Sequence, residues 1–307
     1  MKAMRELMHD HVTKIQDSIC YELSKINTAS FESHPWKSEV LEGGGVANIF
    51  NDKGAILERG GINTSTVHGK VFGEMLKMLD EDFRATPDRY TYFATGVSVV
   101  LHPHSPFVPM VHANYRYFEI MDDRNVIVSW FFGGGADLTP YYLFEEDAEH
   151  FHSELKKACD KTGIGLYEKL KTDADSYFYL PHRKEHRGVG GIFSLRMNDK
   201  PIDELYGWVK ACSEAFLTAY MPIVERRMHI PYTEKHKEWQ LLRRGRYVEF
   251  NLMHDVGTQF GVKSGGHIEN IFMSLPPKVA FAYNHKAENG SEEEKLMKVI
   301  KTPRDWI

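Results

Sequence analysis

Apolar side chains at Met4, Leu7, Met8, Val12, Ile15, Ile19 and Leu23 recur at steps of three and four. That period belongs to an amphipathic helix with one face on a core, so the spacing predicts an opening helix. From about residue 45 to 133 the pattern turns extended. "VANIF", "GVSVVLH", "HANYRYFEI" and "NVIVSWFF" are strand-like runs separated by Gly, Asn and Asp. Helical spacing resumes from about Pro140 to Cys159, from about 163 to 176, and through "IDELYGWVKACSEAFLTAYMPIVERR". "GRYVEFNLMH", "IENIFMSL" and "KVAFAY" read as further strands, and a short charged helix is expected near 291 to 301. Helices thus precede, interrupt and follow strands with little βαβ rhythm, which predicts an α+β fold around a largely antiparallel sheet. There is no repeat, low-complexity tract or Pro/Ser linker, so a single domain over residues 1–307 is expected.

Composition narrows the partners. The chain is 42% hydrophobic and 12% aromatic, with a formal net charge of -5. That supports a sizeable core and gives none of the basic footprint expected of a nucleic-acid binder. Cys20, Cys159 and Cys212 are odd in number and far apart, which argues against a disulfide framework and for a reducing compartment. No apolar run approaches the roughly 18 residues of a membrane span. The N-terminal stretch lacks the apolar core of a signal peptide, so a cytoplasmic protein is expected, with the lack of a transit peptide leaning bacterial.

Candidate chemistry begins with "SWFFGGGADLTPYY", residues 129 to 142. Its glycines lack the Lys-Ser/Thr of a phosphate loop and the spacing of a dinucleotide fingerprint. Thr139 and Pro140 read as the start of a helix. The glycines would then link a strand to that helix, either as a plain turn or to admit something flat or bulky close to the backbone. Ser98, Val100 and His102 alternate, as do His112, Asn114 and Arg116, so in strands each trio shares a face. His, Asn and Arg are costly to bury without partners, which suits a wet cleft or a polar ligand site.

Two further clusters are basic. "LPHRKEHRGVGGIF" carries His182, Arg183, His186 and Arg187 before a glycine pair, and reads either as an anion site or as a solvated turn. Arg243, Arg244 and Arg246, with the glycine-rich stretch that follows, suggest a pocket for a flat or aromatic anion. The chain holds 16 histidines but no H-E-x-x-H and no tight Cys/His spacing, so a metal site would need tertiary convergence. No G-x-S-x-G elbow and no activated cysteine motif is present.

Taken in order, "WFFGGGADLTPYY", "EEDAEHFH", "HRKEHRGVGGIF", "RRGRYVEFNL" and "FGVKSGGHIENIFMSLPP" resemble the signature segments of the oxygen-dependent coproporphyrinogen III oxidases. The resemblance runs from "KIQDSICYEL" to the closing "TPRDWI". It implies a large, mainly antiparallel sheet flanked by helices on both sides, and a homodimer. It also implies oxidative decarboxylation of two propionates of coproporphyrinogen III to the vinyls of protoporphyrinogen IX in haem biosynthesis. Oxygen would be the co-substrate, with no organic cofactor. By motif, Ser98, Asn114, Tyr115, Arg116, Gly265, Gly266 and His267 would contact the tetrapyrrole, and His112 would donate a proton. Arg183, in the basic cluster, is a further candidate for substrate carboxylates. A divalent metal, if used, would fall to His102, His112, His152 and His182.

The chain departs from that family's pattern in three places. Ser194, Leu195, Arg196 and Met197 stand where Phe-Asp-Asp-Leu is usual, Val256 stands for an arginine, and His267 for another. Two readings follow. In one, an active oxidase compensates, with Arg196 on a propionate or Asp199 swung inward by a bulge. In the other, a diverged paralogue binds a tetrapyrrole without this decarboxylation, or acts on another porphyrin. Leu195 and Arg196 facing a cleft that lacks a carboxylate would favour the second.

Overall fold

The computed structural model describes residues 2–27, 31–39, 41–51, 54–71, 86–263 and 266–307. Helix α1 (Met4–Ile26) leads into strands β1 (Glu32–Lys37), β2 (Glu42–Phe50), β3 (Leu57–Lys70), β4 (Thr91–Pro103), β5 (Met110–Met121) and β6 (Ile127–Thr139). Helices α2 (Glu145–Asp160) and α3 (Tyr167–Tyr177) follow, then the two-residue strands β7 (Tyr179–Leu180) and β8 (Glu185–His186), and β9 (Gly191–Met197). The chain closes with α4 (Ile202–Glu214), α5 (Phe216–Arg227), α6 (Glu234–Met253), α7 (Val256–Lys263), α8 (Ile268–Phe272) and α9 (Glu292–Lys301). Strands β1 to β6 form an antiparallel meander, and β9 adds antiparallel to β6 to complete a seven-stranded sheet. The expected α+β class holds.

Alternation gives the sheet two unlike faces. Along β5, Val111, Ala113, Tyr115 and Tyr117 are buried, while His112, Asn114, Arg116 and Phe118 between them are only partly so. The first set meets the apolar stripe of α1 (Met8, Val12, Ile15, Ile19, Leu23) and Trp208 of α4 in one continuous core. α6, α7 and α8 cover the other face. Helices therefore lie on both sides of the sheet.

The triple glycine is the first correction. Gly133, Gly134 and Gly135 are not a strand-to-helix link: they sit inside β6, opposite Arg116, Tyr115 and Asn114. Gly134 has φ +133°, and a Cβ there would lie 1.9 Å from the Asn114 carbonyl oxygen. No side chain fits that approach. β6 continues to Thr139, and α2 begins only at Glu145 after Phe144, so Thr139 is not a helix cap.

The three late strands are also overturned. "GRYVEFNLMH" lies in the last turns of α6 and just past its end, "IENIF" is α8, and "KVAFAY" has no ladder partner. α6 was misread because its buried stripe is mostly polar. Trp239, Gln240, Arg243, Arg244, Tyr247, Phe250 and Asn251 follow a helical period, but four of the seven are not apolar. "KVAFAY" lies along α6, where the Ala280 N–H donates to the Leu241 carbonyl at 3.0 Å.

Those buried arginines do not form an anion pocket. Arg243 donates to Glu185 at 2.7 Å, and Arg244 donates to Glu58 at 2.7 Å and to the Pro103 carbonyl at 2.9 Å. Arg246 pairs with Glu249 on its own helix. Burial alone would raise the Glu58 carboxyl, but Arg244 outweighs it and holds it below its ordinary range. Arg244→Met is expected to lower stability in urea unfolding by about 3–5 kcal/mol, since it strands a buried carboxylate. Combining it with Glu58→Leu is expected to lose less than Arg244→Met alone; a strictly additive loss would show that the pair does not act as a unit.

Candidate functional site

The polar face of the sheet, roofed by the end of α6 and by α7 and α8, encloses a cavity of about 840 Å³. Its floor is built by register. Gly96, Ser98 and Val100 on β4 lie opposite Arg116, Asn114 and His112 on β5, which lie opposite Gly133, Gly135 and Asp137 on β6. Glycine at 96, 133 and 135 strips side chains from the rows beside Arg116 and Asn114. The result is a broad, shallow floor on which the Arg116 side chain lies flat. A Cβ at Gly133 would sit 3.0 Å from the Arg116 Cζ.

At one end of the floor, the His112 Nδ1–H donates to Asp137 Oδ1 at 2.8 Å. Arg187, from the segment between β8 and β9, donates to both oxygens of the same carboxylate at 2.7 and 3.0 Å, and to Asn251 of α6 at 3.3 Å. Its guanidinium is enclosed by Phe178, Tyr247 and Phe250, with ring centroids 4.3 to 4.9 Å away. Burial would raise the Asp137 carboxyl, but Arg187 and His112 prevail and keep it ionised. An ionised Asp137 fixes the proton of His112 on Nδ1 and leaves Nε2 as the nitrogen available to a ligand.

Towards the other end, Arg116 donates to Asn114 Oδ1 at 2.6 Å and to the Leu195 carbonyl at 2.9 Å. Tyr92, Phe118 and Phe131 stack in a row across β4, β5 and β6, with centroids 5.9 and 5.0 Å apart, and Arg196 lies 5.0 Å over Phe131. In the roof, Asp255 also lines the cavity, accepting from the Tyr177 hydroxyl at 2.8 Å and from the Thr258 N–H at 2.6 Å. Lys263 adds a further cation. Cations therefore outnumber carboxylates on the described lining, and aromatic and aliphatic side chains share its apolar part.

The residues singled out in the sequence divide accordingly. Ser98, His112, Asn114 and Arg116 line the cavity together. Tyr115 points the other way, 2% exposed in the helix-side core and edge-on to Trp208, because alternation places it opposite its neighbours. Gly266 closes the end of α7 through its N–H on the Gly261 carbonyl, and His267 caps α8. Both shape the turn between the roof helices and do not line the cavity. Gly265 lies outside the described residues.

Arg183 is not in the cavity either. It grips Glu249 at 2.6 and 2.8 Å, beside His182 on the same carboxylate at 2.9 Å. The four candidate metal ligands are not brought together. His102 donates from Nε2 to the Ser274 carbonyl, and His152 is held between the Tyr167 hydroxyl and the Val189 carbonyl. Burial pushes these imidazoles down to about 3 and about 4, so both are neutral. Among the described residues no three His, Cys, Asp or Glu side chains meet in a metal-holding group. The four histidines, so engaged and placed apart, do not fit one metal ion.

Asp199 stays outside, 3.8 Å from Lys169, while Leu195 and Arg196 do face the cavity. The cleft nevertheless has its carboxylate, Asp255, from an unexpected element. The sequence reading missed the roles of Asp137, which is the partner of Arg187, and of Asp255. Folding the chain back at the Asp122–Asn125 turn puts Asp137 opposite His112, so hairpin register was the available signal.

Residues 7–306 match the family described as Coproporphyrinogen III oxidase. The chain belongs to that family. An oxygen-dependent coproporphyrinogen-III oxidase of Francisella tularensis subsp. holarctica is 45% identical, covering 97% of each chain. The chloroplastic oxygen-dependent enzyme of Nicotiana tabacum is 45% identical over 95% of this chain and 75% of its own length. Coproporphyrinogen-III oxidase 1, chloroplastic, of Arabidopsis thaliana is 43% identical over 99% and 80%. Among the described residues no helix is long and apolar enough to cross a membrane.

The Glu249 cluster makes a pH prediction. Burial would raise this carboxyl from 4.5, but Arg183 and His182 pull it down to about 2. A depressed folded value contributes stability above the unfolded value, and that stability is lost as pH falls through the folded one. The advantage of the parent over Glu249→Gln in urea midpoint is therefore expected to be full above about pH 5 and to vanish near pH 2. An advantage independent of pH would show that the charge is not what Glu249 contributes.

Proposed function

We propose that the protein is an oxygen-dependent coproporphyrinogen III oxidase, converting two propionates of coproporphyrinogen III to the vinyls of protoporphyrinogen IX. The observation that carries this reading is the His112–Asp137–Arg187 constellation at the end of a cavity lined by guanidinium groups and stacked aromatic rings, in a chain of this family. A porphyrinogen is an apolar, electron-rich ring bearing four carboxylates, and the lining complements both properties.

Each conversion breaks a C–H bond on the propionate carbon next to the ring and the bond to the carboxylate. A C=C bond forms and carbon dioxide leaves. Two electrons pass to oxygen, which takes up two protons and leaves as hydrogen peroxide. Oxygen is the co-substrate, and the reduced pyrroles make the substrate reactive enough to need no organic cofactor. Arg116 seats a propionate, Ser98 and Asn114 orient the ring edge, and the Nε2 of His112, unprotonated at rest, takes up the proton lost from the propionate carbon and delivers it to the reduced oxygen. Asp137 and Arg187 act through His112: they hold its tautomer and its ring. Asp255, the carboxylate in the roof, is placed to accept from pyrrole N–H groups. This reading makes the protein a homodimer of single-domain chains in the cytoplasm; the bacterial relative, which matches over 97% of each chain, supports it on length.

In an aerobic assay with coproporphyrinogen III, vinyl-bearing product is expected to accumulate, and an anaerobic control to give none. His112→Ala is expected to lower kcat about 10²- to 10⁴-fold while leaving KM within a few-fold. Equal rates with and without oxygen, or propionates retained in full, would remove the proposed reaction.

A further inference from the structure

The β6–β9 ladder slips where the chain carries its most unusual residues. Phe132 pairs with Met197 and Gly134 with Ser194, so Gly133 alone faces both Leu195 and Arg196. This is a bulge, with two residues opposite one. Its neighbours keep to the helix side, with Ser194 4% and Met197 1% exposed. In unbroken alternation Arg196 would share the face of Ser194 and drive a guanidinium into the core, where burial without a partner is costly. The bulge instead turns Leu195 and Arg196 together into the cavity.

Two consequences converge. The carbonyl of Leu195, at the crest of the bulge, accepts from Arg116 at 2.9 Å, so one distortion both fixes Arg116 and presents Arg196. Glycine at 133 makes room, since a Cβ there would lie 2.5 Å from that carbonyl oxygen. Burial works against the charge of Arg116, Tyr177 and Asp255 partly offset it, and the nearby charge of Arg196 adds a smaller opposition. Two like charges held close on a cavity wall gain most from an anion set between them. Stacking over Phe131 orients the Arg196 guanidinium at the end of the aromatic row on which a flat ring would rest.

We infer that Arg116 and Arg196 together form a two-guanidinium seat for one carboxylate of a tetrapyrrole, and that Arg196 is a specificity-determining residue of this chain. The inference rests on the proposed substrate class, but its test is binding and not turnover. The probe is coproporphyrin III, the stable oxidised ring with all four carboxylates, titrated by fluorescence quenching against the parent, Arg196→Lys, Arg196→Gln and Arg196→Glu.

Loss of one charge-assisted contact corresponds to about a tenfold to hundredfold rise in Kd for Arg196→Gln. A larger rise is expected for Arg196→Glu, partial retention for Arg196→Lys, and unchanged melting temperatures for all three. Under turnover, Arg196→Gln is expected to raise KM and leave kcat within a few-fold. Variants that bind coproporphyrin III within twofold of the parent overturn the seat, as does a parent that does not bind the probe. A parent that binds in this charge-graded way but forms no vinyl product leaves the seat standing and removes the oxidase reading.

Discussion

The ion pair between Asp137 and Arg187 is the constraint on which the site depends. Both side chains are almost wholly inaccessible, and each would be prohibitively costly alone. Their union is satisfied from four directions: His112 from β5, Asp137 from β6, Arg187 from the segment before β9 and Asn251 from α6. A displacement of any of these elements leaves a charge or a hydrogen-bonding atom stranded. The sheet, its edge strand and the helix that roofs the cavity are thereby locked to a common position, and His112 inherits that precision.

Much of this was legible in the sequence, and the reasons are specific. Alternation along "HANYRYF" put His112, Asn114 and Arg116 on one face, and backbone geometry leaves little choice once the strand forms. The same rule, applied one residue further, excludes Tyr115. The late helices were less legible because α6 buries arginines, a glutamine and an asparagine where an apolar stripe was sought. Buried ion pairs carry no hydrophobic signature, so Arg243 and Arg244 resembled ligand groups when they are internal braces. Arg183 misled for a related reason: its partner Glu249 is distant in sequence and near only through the fold.

The glycines show how one residue type serves different demands within a single segment. Gly134 and Gly135 permit a backbone that no other residue would allow so near Asn114 and Ile192. Gly133 is needed for a different reason, the space above it, which Arg116 occupies. Sequence alone shows only that side chains are missing. Register reveals what fills the gap, and here it is a guanidinium on the floor of the cavity, with no phosphate involved.

The slip in β9 also bears on how copies of the molecule meet in solution. β1 and β9 are the two edges of the sheet, and exposed edges of antiparallel sheets invite pairing between molecules. β1 carries Glu32, His34, Lys37 and a proline that lacks a donor, and β9 is kinked where Leu195 and Arg196 crowd against Gly133. Neither edge is a straight template for another strand. The distortion that shapes the ligand cavity thus also guards the protein against edge-to-edge aggregation.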